Sequence, residues 1–576
     1  MRLIVWSLFL LVINSATAAT IVENGSFESG KIARKGVDTE TILKDEELKK
    51  TVLGRWLPVA WGTPGATRNS MSIVEAADAP HGKLVGQIDN KVNQISVFAY
   101  GLEKDELQPG KWYEVTAKIR TENLHGQGAF VNVEFWDHGY GAGSIDSEHL
   151  CETVDWKSGT VRFIAPPKKY NVNISLWAFG GPGKVWYDDV QLRQIPPPKI
   201  DTSKRTVLKD PFWGMFTCYA NYLHRHGKEM KTAGVYWQRQ GTGGLAAENQ
   251  KFMESNGMAF QMCLDGMPAA KDPKDPCYPV TESCEYKKWL QGCADKAGKS
   301  VRIFEVFNEP NTHVQWTLPG YANLLILAGQ VLDAHPKGKD ILFATGGFTS
   351  PQIGYTEACL KCGADKVLDI VLMHPYAVDE PLDSQLYAMA EACNRAGRPD
   401  IAVAINETGF PTWDPETGIA VNPWFVSEKD QAIKVIKLHL QALAHKLSFV
   451  TYLGWNDFTT EPSDQAKNMG LVRLDGSAKP ALHAYKFMRK TLGPRPRVIQ
   501  WKYDENGTRV YQFEVPGNKS VWVVWNAIGD NETTVNVGKT RVFPCDIYGT
   551  KLTVTPTSIQ TKITAGYEPT YLVPVD

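Results

Sequence analysis

Between Phe212 and Phe458 the chain repeats one pattern eight times: a short apolar run, then a longer segment with helical periodicity. The runs begin near Phe212, Gly234, Met258, Val301, Ile341, Leu368, Ile401 and Phe449. Short apolar runs bounded by helices read as buried parallel strands, because a parallel sheet needs a crossover helix between strands. Eight such units fill residues 206–490, the expected size of a closed (β/α)8 barrel. A doubly wound open sheet has the same alternation, but the count of eight favours closure. Segments such as 428–440, with apolar residues three and four apart, are the expected outer helices.

The flanking regions carry a different period. From about residue 20 to 195, segments 112–120, 130–136 and 172–177 alternate apolar and polar residues, the period of half-buried antiparallel strands. Ile195-Pro-Pro-Pro-Lys199 then reads as a stiff linker within 196–205. Beyond residue 491 strand-like segments return without helices, over 509–515, 520–526 and 571–573. The expected architecture is therefore multidomain: an N-terminal β-sandwich of jelly-roll type, a (β/α)8 TIM barrel over 206–490, and a small C-terminal β-sandwich over 491–576.

The first residues point to export. Met1-Arg2 supplies a short positive end, Leu3 to Ile13 is apolar apart from Ser7, and Ala16-Thr17-Ala18 supplies small residues for cleavage. The apolar stretch is too short to span a bilayer, so 1–19 is expected to be a signal peptide and the mature chain to have no membrane span. With 62 Lys+Arg against 63 Asp+Glu the net charge is −1, which gives no bulk field for nucleic acid or an anionic membrane.

Chemistry concentrates at two strand ends. The fourth run ends Phe304-Glu-Val-Phe-Asn-Glu-Pro-Asn311, and the seventh ends Ala404-Ile-Asn-Glu-Thr-Gly-Phe-Pro411. Glu309 and Glu407 are 98 residues apart, about three βα units. Strands four and seven lie on roughly opposite sides of an eight-strand barrel, so two long glutamates can face each other across its mouth. Cleavage of a glycosidic bond needs such a pair, one carboxyl giving a proton and the other attacking or activating water.

Asn308-Glu309-Pro310 on strand four with Glu407 on strand seven resembles the clan A glycoside hydrolases. The longer run from Phe304 to Asn311 is nearest to glycoside hydrolase family 39, while the Asn-Glu-Thr-Gly-Phe-Pro context of Glu407 is also like other families of that clan. The resemblance implies a retaining hydrolase with Glu309 as acid/base, Glu407 as nucleophile and Asn308 as donor to the sugar 2-hydroxyl. It needs no catalytic cofactor or metal, and it leaves the sugar open among xylose, galactose, glucose, mannose and a uronic acid. Around this pair, His374 and Tyr376 are expected to line the cleft, with Tyr376 bonding Glu407. Trp455 is expected to form an apolar floor, and Arg239 to hold Glu407 ionised. His224, Glu305 and Asn456 are weaker candidates. The charge on Glu407 is expected to raise the proton affinity of Glu309.

Glu23-Asn-Gly-Ser-Phe-Glu28 and Val185-Trp-Tyr-Asp-Asp-Val-Gln-Leu192 together resemble the end strands of carbohydrate-binding jelly rolls. That domain is expected to bind or position glycan, with Trp56, Trp61, Tyr100, Trp136 and Trp177 divided between core and stacking faces. Glu28 with Asp188 and Asp189 is a candidate structural calcium site, although no coordination loop accompanies it. Ten cysteines permit disulfides in an exported chain, and Cys277, Cys284 and Cys293 suit a loop staple. Cys359 and Cys362 form a CxxC with no second pair to complete a zinc site. The alternative to a hydrolase acting on a polysaccharide or oligosaccharide is a non-catalytic glycan-binding protein on a degenerate barrel.

Overall fold

A computed structural model describes residues 21–22, 25–28, 56–62, 70–137, 140–199, 201–217, 220–265, 284–312, 316–349, 352–412, 425–458, 468–504, 506–553 and 555–575. The expected signal peptide and Cys277 lie outside the described residues, as do the side chains of Trp61 and Cys284.

Nine strands form the N-terminal unit: β1 (Trp56–Gly62), β2 (Met71–Glu75), β3 (Leu84–Asn90), β4 (Gln94–Gly101), β5 (Trp112–Asp137), β6 (Tyr140–Asp146), β7 (Leu150–Ile164), β8 (Tyr170–Gly180) and β9 (Gly183–Ile195). All pairings are antiparallel. The two segments that alternate separately in the sequence, 112–120 and 130–136, belong to one strand, β5. Its first half pairs with β9 and its second half with β8, with register shifts between them. A strand this long bends and crosses from one sheet layer to the other at such irregularities. Odd-numbered Val131, Val133 and Phe135 enter the core, so the even-numbered side chains of this stretch face the other way.

The barrel strands are β10 (Trp213–Phe216), β11 (Trp237–Gln240), β12 (Ala259–Cys263), β13 (Val301–Val306), β14 (Leu342–Thr345), β16 (Ile370–His374), β17 (Ala402–Ile405) and β18 (Val450–Leu453), with a two-residue β15 (Phe348–Thr349) beside β16. Every pair is parallel, and β10–β18 and β14–β16 close the ring. Each of the eight expected runs contains one of these strands. Helices α1 (Ala220–Thr232), α2 (Ala247–Asn256), α3 (Cys284–Lys296), α4 (Leu318–Asp333), α5 (Ile353–Lys361), α6 (Asp379–Arg395), α7 (Glu428–Ala444) and α8 (Pro480–Leu492) supply the outer layer. The expected helix at 428 starts under a Ser427 cap, whose hydroxyl accepts from the Asp430 N–H. Among the described residues no helix is long and apolar enough to cross a membrane.

The barrel interior is layered by residue parity. Trp237, Ala259, Ile303, Ala344, Leu372, Ala404 and Phe449 form one apolar cluster. Two residues further along each strand, on the same inward side, come Arg239, Gln261, Glu305, Gly346, His374, Asn406 and Thr451. The plug is therefore dry at its base and polar at the carboxyl ends, where Gln261 Nε2 donates to Thr451 Oγ1 at 2.7 Å.

The six C-terminal strands, β19 (Arg497–Tyr503), β20 (Thr508–Val515), β21 (Lys519–Asn526), β22 (Asn531–Cys545), β23 (Thr557–Ala565) and β24 (Thr570–Pro574), form one antiparallel sheet. One side closes over Trp522, Val524, Val535 and Leu572. The other carries Arg509 and Trp525 against α6. Arg509, fully buried, donates from Nη2 to Glu380 (3.0 Å) and Asp383 (2.9 Å). Trp525 Nε1 donates to Asp379 at 2.9 Å, and Lys437 reaches the same carboxyl at 3.0 Å. Removing one partner from such a network leaves uncompensated buried charge. Arg509→Met is expected to destabilise the protein by about 3–5 kcal/mol, seen as a lower urea midpoint for the first unfolding transition. An unchanged midpoint would show that the sheet and barrel are not coupled through this group.

Candidate active site

The site is built on Arg239, at the carboxyl end of the second barrel strand, β11. Its guanidinium is almost fully buried, and its N–H groups are divided among three partners. Nε and Nη2 donate to the two oxygens of Glu305, each at 2.8 Å. Nη2 also donates to Asn308 Oδ1 at 2.6 Å, and Nη1 donates to Glu407 Oε2 at 2.5 Å. A bidentate carboxylate fixes the plane of a guanidinium in a way a lysine cannot reproduce. Glu305 therefore aims the remaining donors at Asn308 and Glu407. Its backbone support is the Gly347 N–H, which donates to Glu305 Oε1 at 3.1 Å.

Glu407 follows β17. Its second oxygen, Oε1, accepts from the Tyr376 hydroxyl at 2.6 Å. Burial and the nearby Glu407 carboxylate both push the Tyr376 hydroxyl well above the ordinary phenol range, so it stays a donor. Each Glu407 oxygen thus accepts from one donor, Arg239 on one side and Tyr376 on the other.

Glu309 sits on a strained turn. Phe307 and Glu309, on either side of Asn308, have φ of +69° and +46°, a left-handed conformation that L residues with side chains rarely adopt. The Glu309 N–H donates to the Gly347 carbonyl at 3.1 Å. The Glu309 carboxyl accepts from His374 Nδ1 at 2.9 Å and is also bonded by the Thr349 side chain. Gly347 makes room for this pairing: a Cβ there would stand 1.9 Å from His374 Nε2 and 2.7 Å from Asn406 Oδ1.

One oxygen of Glu309, one oxygen of Glu407 and a ring nitrogen of His374 all lie within 4.8 Å of one another. The two carboxyls thus face each other at short range, one held by Arg239 and Tyr376, the other by His374 and Thr349.

The expected raising of Glu309 by the charge of Glu407 does not occur. Burial does push Glu309 up, but the hydrogen bond and positive charge of His374, with the charge of Arg239, outweigh it and hold Glu309 below the ordinary carboxylate range. Arg239 lies against Glu407, so the carboxylate's field at Glu309 is largely compensated.

Of the other expected site residues, Asn308 is tied to Arg239 through Oδ1, which leaves its Nδ2 end to donate. Glu305, a weaker sequence candidate, is central. Trp455 follows β18 but is only 1% exposed, so little of its face is open. Asn456 donates to the Asp457 carbonyl. His224 lies on the exposed side of α1, paired with Asn249 at 2.7 Å, and does not join the site. Sequence reasoning passed over Thr349 and Gly347, which follow the fifth strand. The Gly346-Gly347 pair at a strand end was the available signal.

In the N-terminal unit Trp56 and Tyr100 are core residues, while Trp136 and Trp177 are half-buried on the opposite face. Glu28 Oε1 accepts from the Lys83 and Leu84 N–H groups, and Asp188 from those of His81 and Asp189. Cys359 and Cys362 are free thiols, as is the buried Cys293.

No protein-family profile matches the chain, and no relative is found among curated proteins. Among solved structures, a family 39 glycoside hydrolase from Bacteroides cellulosilyticus WH2 superposes with a TM-score of 0.50 at 16% identity, covering 79% of this chain and 98% of that one. The catalytic domain of a GH30 xylanase C from Talaromyces cellulolyticus gives 0.43 at 12% identity, covering 65% and 98%. A GH51 arabinofuranosidase from Xanthomonas axonopodis pv. citri gives 0.41 at 12% identity, covering 66% and 98%. At these identities the first of them shows a shared fold.

His374→Gln replaces the imidazole whose hydrogen bond and electrostatic interaction lower Glu309, so the Glu309 carboxyl should keep its proton to higher pH. If a protonated Glu309 is the active form, the alkaline limb of kcat/KM should move upward in the variant. A profile of kcat/KM against pH checks this, and an unmoved or lowered limb would break the link.

Proposed function

We propose that the protein is a secreted retaining glycoside hydrolase that cleaves β-glycosidic bonds of a polysaccharide or oligosaccharide. The observation that carries the reading is the pair of carboxyls, Glu309 after the fourth strand and Glu407 after the seventh, with oxygens within 4.8 Å across the mouth of a closed barrel. Oxygens this near support the close carboxyl spacing of retaining enzymes, about 5–5.5 Å, over the wider gap of inverting ones. Export is supported by the Met1–Ala18 pattern alone.

In the first step Glu407, ionised, attacks the anomeric carbon while the leaving oxygen takes the proton from the protonated form of Glu309, a minor form in the free enzyme because His374 and Arg239 hold that carboxyl low. A glycosyl ester forms on Glu407 and the aglycone departs. Water then attacks the anomeric carbon, giving its proton to Glu309 and releasing Glu407, so both groups return to their starting states. Two inversions leave the anomeric configuration unchanged. Asn308 Nδ2 is the donor suited to the sugar 2-hydroxyl, where hydrogen bonds strengthen in the transition state.

The same three ligand atoms, on Glu309, His374 and Glu407, are close enough to hold a divalent cation, which favours a metal centre as a second reading. Against it, Arg239 already places a fixed positive charge on Glu407. Activity in excess EDTA separates the two: the hydrolase should keep its rate, and loss restored by a divalent metal would favour the metal centre.

The roles of the two glutamates are separable. Glu407→Ala should lose about 10⁴-fold or more in kcat on every substrate. Glu309→Ala should lose about 10²–10⁴-fold on unactivated substrates. With good leaving groups it should still form the intermediate, and azide should release a β-glycosyl azide. Proton NMR of early wild-type product should show the β anomer. An inverted first product, or azide rescue with the positions exchanged, would overturn the assignment.

A further inference from the structure

The N-terminal sandwich and the barrel meet at the carboxyl end of the barrel, beside Glu309. Gln127 Nε2 donates to the Asn311 carbonyl at 3.0 Å, two residues beyond Glu309. Asp146 Oδ1 accepts from the Ile353 and Gly354 N–H groups at 2.7 and 3.1 Å, at the start of α5. Gln385 on α6 donates to the Ser144 carbonyl at 3.2 Å. Gly354 allows this approach, since a Cβ there would fall 1.6 Å from the Ser147 carbonyl oxygen. The face of β5 and β8 that turns away from the sandwich core is thereby fixed against the barrel mouth.

That face is neither a plain polar surface nor a dry interface. Phe130, Asn132, Glu134 and Trp136 share it on β5, and Trp177 and Phe179 on β8. Trp177 lies nearly parallel to both Phe130 and Phe179, at 5.7 and 5.9 Å between ring centres; the two phenylalanines are buried and back it, so the open aromatic faces are those of the half-buried Trp136 and Trp177. Between these faces and the barrel loops is a pocket of about 260 Å³, whose far wall includes Asn311, Thr349 and Gln352. Thr349 acts on the Glu309 carboxyl and Asn311 lies two residues beyond it, so this wall of the pocket adjoins the proton donor, which does not itself line it.

Two buried acceptors in the wall have no partner among the described residues: Asn132 Oδ1, in a residue only 6% exposed, and Gln352 Oε1. An unpaired buried carbonyl oxygen costs free energy until a donor arrives. Asn132 turns its Nδ2 to Glu134, so its oxygen is the end left over. The half-buried faces of Trp136 and Trp177, beside amide acceptors that a turn of the Asn132 or Gln352 side chain would bring to the pocket, are complementary to a sugar ring, with one apolar face and hydroxyls at its edge. The volume is below the roughly 300–1,000 Å³ of drug-sized ligand sites, which suits one ring rather than an extended chain.

We propose that this pocket is the leaving-group subsite, in which the N-terminal domain binds the sugar residue released when the bond is cut. The inference rests on the hydrolase reading, in which Glu309 protonates the leaving oxygen and the departing sugar must lie on its side. The domain is then a wall of the active site rather than a separate glycan anchor, and it selects the leaving residue. Burial raises the Glu134 carboxyl above its ordinary range, and it adds a polar group to the pocket wall.

The test compares two leaving groups on the same enzyme. A panel of β-glycosyl fluorides (glucosyl, galactosyl, xylosyl, mannosyl and glucuronosyl) departs as fluoride, which is too small to reach the pocket. β-Linked oligosaccharides of whichever sugar is turned over release a sugar into it. Trp177→Ala and the rim variant Gln352→Ala should lower kcat/KM on the oligosaccharide by about 10–100-fold. Fluoride release should fall at least ten times less in each variant. The Gln352 change removes one acceptor from a half-buried side chain, so it reports even if the tryptophan variant misfolds. Equal losses on both substrates, or no loss on the oligosaccharide, would overturn the subsite while leaving the hydrolase standing. No fluoride release by the wild type from any member of the panel would instead overturn the hydrolase reading itself.

Discussion

The arrangement of the barrel mouth depends on one buried cation. Arg239 is surrounded by Glu305, Asn308 and Glu407, and its charge is well protected: burial disfavours it, but the facing carboxylates raise its proton affinity well above the ordinary guanidinium range. A charge this deep is tolerated only with partners in place, since isolated desolvation would cost several kcal/mol. The partners gain in turn. Both oxygens of the fully buried Glu305 are met by one rigid fork. Without Arg239 the site would contain two neighbouring carboxylates and a third below them, and proton uptake would relieve the repulsion.

The second constraint is backbone shape at the fourth and fifth strand ends. The left-handed turn through Phe307 and Glu309 is tolerated because its surroundings determine it. Gly347 receives the Glu309 N–H, gives its own N–H to Glu305 and leaves space for His374. Strain of roughly 1–3 kcal/mol per such residue is sustained by contacts of this kind and is concentrated where side-chain direction matters. His374 then sets the electrostatics of Glu309 against the effect of burial, so the two glutamates differ in partner as well as in position.

The flanking domains use buried polar contacts to hold their positions on the barrel. Arg509 with Glu380 and Asp383 fixes the C-terminal sheet to α6. Asp146, accepting two N–H groups at the start of α5, fixes the N-terminal sandwich to the next helix unit. Both contacts are geometrically specific in a way that apolar packing is not. The orientation of β5 and β8 relative to Glu309 follows from the second of them.

Much of this was legible from residue order. The eight apolar runs, their spacing and their flanking helices determine a closed parallel barrel, because the βα repeat is local and each strand's limits are set by nearby residues. The strand-end positions of Glu309 and Glu407 follow from the same repeat, as does the inward parity that places Arg239 and His374 in one layer. Partnership was not legible. Glu305 looked weak, since an isolated strand glutamate does not reveal that an arginine 66 positions earlier in the chain faces it. The proton affinity of Glu309 was expected to rise because the sequence supplies the neighbouring charge of Glu407 but not the compensating geometry of His374 and Arg239. Parity along β5 and β8 divides the aromatics into two faces, but only docking decided that one face turns toward the barrel loops at Asn311, Thr349 and Gln352. Local periodicity is encoded within a few residues, whereas burial, charge compensation and domain docking are sums over atoms brought together from distant parts of the chain.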